Sequence, residues 1–203
     1  MISITNLNKS FGDKVLFKDY NASIQDGEFV VFSGVSGCGK TTLLNMIGAI
    51  EKLDGGKIEI DGLDVCSGKN QIKLLREVYG FLFQNFALVE NKTVEENLAF
   101  ILPKYASGVS VKDALERVGL NGFQKKKVYK LSGGEQQRVS LARLILKKCS
   151  IILADEPTGS LDKDNALRVM DILKHLNQTK TVIMVSHDEE MRKYGHRVIH
   201  IEE

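Results

Sequence analysis

Three short runs of residues carry the means to bind and cleave a polyphosphate. Gly34-Val35-Ser36-Gly37-Cys38-Gly39-Lys40-Thr41 fits G-x-x-x-x-G-K-[ST], follows an apolar run and opens a helical stretch. Glycines in such a loop let backbone N–H groups curl around phosphate oxygens, and the helix N-terminus adds a positive dipole end. Lys40 reaches the β- and γ-phosphates, the Thr41 hydroxyl is placed to ligate Mg²⁺, and Thr42 can contact the α-phosphate. Cys38 reads as a small side chain filling a loop position. Asp155 and Glu156 close the apolar run 151–154. A carboxylate at such a strand end holds a magnesium shell, and Glu156 after it can polarise an attacking water as general base. The third run, Leu131-Ser132-Gly133-Gly134-Glu135-Gln136-Gln137-Arg138, offers a serine, two glycines and a helix start but no lysine. It is half of a phosphate site, and its simplest use is to complete another half held elsewhere.

These residues need strands that end, and helices that begin, in one place. Alternating apolar and polar residues predict strands over 2–8 and 15–24, with Asp26-Gly27 as the turn after the second. The continuous apolar run 29–32 predicts a strand buried on both faces. Residues 34–39 then form a loop and 40–50 a helix. A strand over 57–60 ends at Asp61-Gly62, and a buried strand covers 79–83. Thr93 and Glu96 form a capping-box pattern ahead of Asn97-Leu98-Ala99-Phe100. Helical periodicity over 111–118 stops at Gly119. A long helix over 133–148 ends in Lys147-Lys148, as the macrodipole favours. Strands at 151–154, 181–185 and 197–201 are separated by helices at 164–176 and 188–194. This alternation argues for a parallel α/β core, interrupted by a helical stretch from about 95 to 129 that looks like an inserted subdomain. Pro103 and Pro157 are the only prolines, so no proline-rich linker marks a second domain.

The chain has 203 residues, enough for a real core, and 43% hydrophobic against 27% charged residues places it among ordinary globular proteins. Lys and Arg number 28 against 26 Asp and Glu, a balance that offers no electrostatic reason for nucleic-acid binding. Lys125-Lys126-Lys127 reads as a solvated helix end. Cys38, Cys66 and Cys149 are widely spaced with no metal-ligand pattern, and read as free thiols in a reducing compartment. Met1-Ile2-Ser3-Ile4-Thr5-Asn6 lacks the basic start of a signal peptide, and no apolar stretch approaches the roughly 18 residues that cross a bilayer. The expectation is a cytosolic protein whose membrane work, if any, falls to another chain.

With Leu131–Arg138 lying between the loop and the Asp155 strand, the chain resembles an ATP-binding-cassette ATPase, the nucleotide-binding subunit of an ABC transporter. The resemblance covers residues 11–187. It implies an α/β fold: a P-loop NTPase core with a mostly parallel sheet, an N-terminal antiparallel β subdomain and an inserted α-helical subdomain. One cassette domain would span 1–203, with the core at 1–94 and 130–203 and the helical part at about 95–129. In this family two cassettes pair head to tail. ATP with Mg²⁺ then lies between the loop of one copy (Gly34, Ser36, Gly37, Cys38, Gly39, Lys40, Thr41, Thr42) and Ser132, Gly133, Gly134 and Glu135 of the other. Phe11 resembles the aromatic residue that stacks on adenine. Gln84 resembles the glutamine that meets Mg²⁺ and the attacking water and senses the membrane subunit. Ser160-Leu161-Asp162 resembles the loop that crosses the dimer interface, and His187 the histidine that contacts the γ-phosphate. The implied catalytic set is Glu156, His187, Gln84 and Lys40; the implied magnesium set is Thr41, Gln84 and Asp155. His175, His196 and His200 read as surface or core residues.

Glu156-Pro157-Thr158-Gly159-Ser160-Leu161-Asp162 and the stretch 83–97 resemble the lipoprotein-release, macrolide-export, cell-division and bacitracin-export branch, and more closely Gram-positive peptide or bacteriocin export cassettes. The resemblance implies a homodimer docked through residues 84–89 on a separate membrane permease, at the inner face of the cell membrane, with no nucleic acid as partner. Charges at Phe86 or Leu88 are then expected to uncouple transport. The chain stops soon after the last strand, which suggests a minimal motor. A mechanotransmitting ATPase that moves a membrane partner without cargo is the alternative. A soluble DNA-repair or translation cassette fits less well, because one phosphate loop and no long coiled coil are present.

Overall fold

The computed structural model describes residues 1–202. Its strands sort into two sheets by their neighbours and their hydrophobic pattern. β1 (Ile2–Phe11) and β2 (Lys14–Ile24) form an antiparallel hairpin. β3 (Phe29–Ser33) leaves it and leads through the phosphate loop into α1 (Lys40–Ile47). β4 (Gly55–Ile60) returns to the free side of β1 and turns into the short β5 (Leu63–Asp64), giving an antiparallel sheet ordered β2-β1-β4-β5.

α2 (Gly68–Lys73) and a wider π turn (Leu74–Val78) lead into β6 (Tyr79–Leu82), the edge of the second sheet. α3 (Val94–Leu98) and α4 (Val111–Arg117) follow, then the long α5 (Gly133–Leu146), β7 (Ile151–Asp155), α6 (Lys163–Asn177), β8 (Thr181–Val185), α7 (Glu189–Arg192) and β9 (Arg197–His200). This sheet is parallel throughout and ordered β6-β7-β8-β3-β9. Its strands feed two cores in alternation. Phe29, Val31, Ile152, Ala154, Val182 and Met184 point to the side covered by α3, α4, α5 and α6. Val30, Phe32, Ile151, Leu153, Ile183 and Val185 point to the side shared with α1 and the antiparallel sheet. Burial on both faces is why these strands read as unbroken apolar runs.

Several boundaries differ from the periodicity. α1 stops at Ile47, not residue 50, because Ala49 turns left-handed (φ 56°) and the Ile50 N–H closes back on the Asn45 carbonyl at 2.9 Å. α5 stops at Leu146. Lys147 is extended, and its ammonium donates to the Leu75 carbonyl at 2.7 Å rather than sitting over the helix end. Lys125-Lys126-Lys127 is not a helix end: Lys125 and Lys126 lie in a turn, with Lys126 over the Phe123 ring, and Lys127 bridges to Thr93 with its ammonium 3.5 Å from Glu96. The helix 68–78 had no counterpart in the periodicity. The capping box is present as expected, with Thr93 and Glu96 each accepting the other's N–H. No helix among the described residues is long and apolar enough to cross a membrane.

Candidate active site

Because β3, β7 and β8 are adjacent and parallel, their C-terminal ends deliver the phosphate loop, Asp155-Glu156 and Ser186-His187 to one edge. The loop needs its glycines. Gly39 caps α1 at φ 100°, and a Cβ there would stand 2.9 Å from the Phe17 ring. Gly34 has φ 150°, and a Cβ there would meet the Ile201 carbonyl at 2.4 Å. Lys40 is buried, and its ammonium donates to the Gly34 and Val35 carbonyls at 2.9 and 2.7 Å. Cys38 is buried beneath the loop with its sulfur 3.7 Å from that ammonium.

A cleft of about 380 Å³ opens over the loop, lined by Phe11, Lys14, Ser36, Gly37, Gly39, Lys40, Thr41, Thr42 and Glu156 among others. On its floor the Thr41 hydroxyl donates to Asp155 Oδ1 at 2.9 Å. Burial pushes the Asp155 carboxyl above its ordinary pKa; the Thr41 hydrogen bond opposes this, the neighbouring Glu156 charge adds to it and Lys40 opposes it. A hydroxyl and a carboxylate are the hard oxygen ligands that Mg²⁺ takes, and Gln84 shares an adjoining cleft of about 350 Å³ with Asp155. The donor set therefore fits that ion.

Glu156 has a positive φ of 43°, unusual for a side chain of this kind. Its N–H donates to the Val185 carbonyl at 3.1 Å and its carbonyl accepts from Gly159 N–H at 3.2 Å, so β8 and the following turn hold it there. Glu156 Oε2 lies 3.0 Å from His187 Nδ1, with the carboxylate mostly shielded and the imidazole open to solvent.

Phe11, Lys40, Thr41 and Glu156 thus line one cleft, and Asp155 and His187 join it through Thr41 and Glu156. Ser132, Gly133, Gly134 and Glu135 do not: among the described residues none of the four lines the cleft. Ser132 stands exposed as the N-cap of α5, accepting Glu135 N–H at 3.2 Å while Glu135 Oε2 accepts Ser132 N–H at 2.8 Å. The Ser-x-x-Glu spacing signals this capping box as plainly as Thr93–Glu96 does. Asp162 caps α6, accepting Asn165 N–H at 3.0 Å, and the Arg138 guanidinium donates to the Asn165 side-chain oxygen. Sequence reasoning missed Lys14, whose ammonium donates to the Gly37 carbonyl at 3.1 Å on the cleft rim. Its place depends on the β1–β2 register, which pairs it with Phe11.

Known proteins are similar to this chain in sequence and fold. The family model described as ABC transporter matches residues 17–159. The macrolide export ATP-binding/permease protein MacB of Aggregatibacter actinomycetemcomitans is 40% identical over 100% of this chain and 33% of its own length. The chain therefore spans about a third of that relative. The bacitracin export ATP-binding protein BceA of Halalkalibacterium halodurans is 36% identical, covering 100% of this chain and 85% of its own. In three dimensions the chain superposes with TM-score 0.87 on the ATP-binding cassette MJ0796 of Methanocaldococcus jannaschii. That structure is a dimeric post-hydrolysis state bound to ADP and Pi; identity is 34%, covering 100% of this chain and 94% of that one.

Proposed function

Since this chain belongs to the ABC transporter family, we propose that it is the ATP-hydrolysing motor of an exporter, driving a membrane permease that moves an antimicrobial compound, peptide or lipoprotein. The chain is an ATPase. The observation that supports the reading is that Lys40, Thr41 and Glu156 line one cleft, with Asp155 bonded to Thr41 and His187 3.0 Å from Glu156, while Ser132 and Gly134 do not line it. One chain holds both halves of a nucleotide site and cannot bring both to one ATP.

Phe11 stacks on the adenine, the glycine-rich loop and Lys40 hold the phosphates, and Thr42 reaches the α-phosphate. Thr41, Asp155 and Gln84 would hold Mg²⁺, which would supply charge neutralisation at the phosphates. Glu156 orients and deprotonates the attacking water, and His187 donates to the γ-phosphate oxygens as charge develops. Ser132 and Gly134 of a second copy close over the γ-phosphate, and Glu135 fixes the Ser132 backbone for that contact. Residues 95–129 act as the inserted helical subdomain.

The permease docks in an apolar groove of about 360 Å³ lined by Leu75, Phe81, Phe83, Ala87, Phe100 and Leu102 among others. It abuts residues 84–89, and the permease part of the macrolide relative supports the partner. Leu88 itself packs on the core, so a charge there would test folding rather than docking. The deciding experiment is Glu156→Gln: ATP binding should persist, turnover should fall by about a hundredfold or more, and a stable ATP-bound dimer should appear on gel filtration. Turnover near that of the parent would remove Glu156 as general base.

A further inference from the structure

Lys9 serves the nucleotide cleft without lining it. It lies two residues before Phe11 on β1 and is only 5% exposed. Its ammonium donates to Glu51 Oε1 at 2.7 Å and to the Lys52 carbonyl at 2.9 Å, and lies 3.5 Å from Asp54 Oδ1. The same ammonium stands 4.6 Å over the centroid of the Phe11 ring. The other oxygen of Asp54 accepts Ser10 N–H at 2.7 Å, gripping the backbone between the two side chains. The Glu51 hydrogen bond, against the pull of burial, holds the Lys9 pKa above its ordinary value, so the group is charged throughout the physiological range.

A buried ammonium with carboxylate partners is no better for stability than an apolar side chain of the same size. Phe11 is where its charge has an effect. That ring is 52% exposed and belongs to neither apolar core. An exposed ring at a hairpin end loses rotamer freedom when a base stacks on it. A cation fixed over one face removes that freedom beforehand and leaves the other face for the base. The partners of Lys9 come from the turn that ends α1, and α1 begins at Lys40. One end of the helix therefore holds the phosphates while the segment after its other end holds the base platform.

We infer that Lys9 is a positioning residue for ATP, setting the Phe11 ring and its separation from the phosphate loop through the Glu51–Lys52–Asp54 turn. The inference rests on the reading of Phe11 as the adenine-stacking residue. The test is a double-mutant cycle with ATP titrated calorimetrically into the whole chain. Lys9→Met should weaken ATP about fivefold, within the range of a cation–π contact. KM should rise while kcat at saturating ATP moves by less than about twofold, and Lys9→Arg should restore affinity. In a Phe11→Ala background Lys9→Met should add nothing. An equal loss in that background, or undiminished affinity in Lys9→Met alone, overturns the inference. Should Lys9→Met not fold, Glu51→Gln leaves Lys9 its Asp54 and carbonyl partners and runs the same cycle with a smaller loss. Phe11→Ala binding ATP like the parent would overturn the stacking reading, and the role of Lys9 with it.

Discussion

The Gln137 side-chain amide donates to the Pro157 carbonyl at 2.7 Å, joining the helix that Ser132 caps to the residue after Glu156. Gln137 is 1% exposed, so the bond is dry. Within one copy, the bond ties the group proposed to meet a partner's nucleotide to the group proposed to act on its own. Gln137→Leu leaves a buried carbonyl without its donor but also removes the amide oxygen, which has no hydrogen-bond partner, so the net cost should be about 0.5–1.5 kcal/mol of stability. ATP affinity should stay near the parent's while kcat falls. A kcat unchanged alongside a lowered Tm would reduce the bond to a purely structural one.

The left-handed backbone at Glu156 separates two substitutions that both remove its carboxylate. A non-glycine residue held there costs on the order of 1–3 kcal/mol, and glycine's extra unfolded-state entropy offsets roughly 0.5–1 of that. Glu156→Gly should therefore unfold at higher denaturant than Glu156→Gln, with both nearly inactive. Equal midpoints in urea would show that the strand end does not store this strain.

Burial of Asp155 predicts a pH-dependent stability of one sign. Its folded pKa lies above the unfolded value near 3.8, chiefly through burial. The chain thus loses stability as pH rises through that window and carries the loss at neutral pH. Asp155→Asn keeps an acceptor for Thr41 and removes the buried charge. Its metal-free Tm should rise at pH 7, by about 2–4 °C for each kcal/mol recovered, and match the parent's at low pH. Stabilisation by Mg²⁺ with ATP should disappear. A Tm below the parent's at neutral pH would contradict the assigned sign.

Residues whose roles depend on neighbours in sequence were legible from the chain alone. The phosphate loop, the Asp155-Glu156 strand end and the strands buried on both faces announce themselves locally. What was hidden depends on partners far along the chain. Lys147 leaves the helix end because the Leu75 carbonyl, 72 residues away, takes its ammonium. Lys9 and Gln137 look like surface residues until the turn after α1 and the turn after β7 close over them. Ala49 carries a left-handed turn that its residue type does not advertise. Lys14 reaches the cleft only because the hairpin register sets it opposite Phe11.

The groove proposed for permease docking carries a separate prediction. Phe100 and Leu102 are 54% and 60% exposed on its wall, so neither holds the fold together. Phe100→Glu with Leu102→Glu should leave the Tm and basal ATPase of the chain within error, while abolishing co-purification with the permease and cargo-stimulated turnover. Retained co-purification would move the docking site elsewhere.

The trans contact proposed for the exposed capping box at Ser132 also implies a reaction order. A site completed by a second copy turns over at a rate set by the square of chain concentration until dimers saturate. Tenfold dilution then cuts the rate by about a hundredfold, rather than the tenfold of a self-sufficient enzyme. On the proposed assembly, chains made ahead of a membrane partner would turn over slowly by mass action alone. Gathering two of them on one permease would raise their local concentration and speed the cycle, so assembly would itself be the throttle.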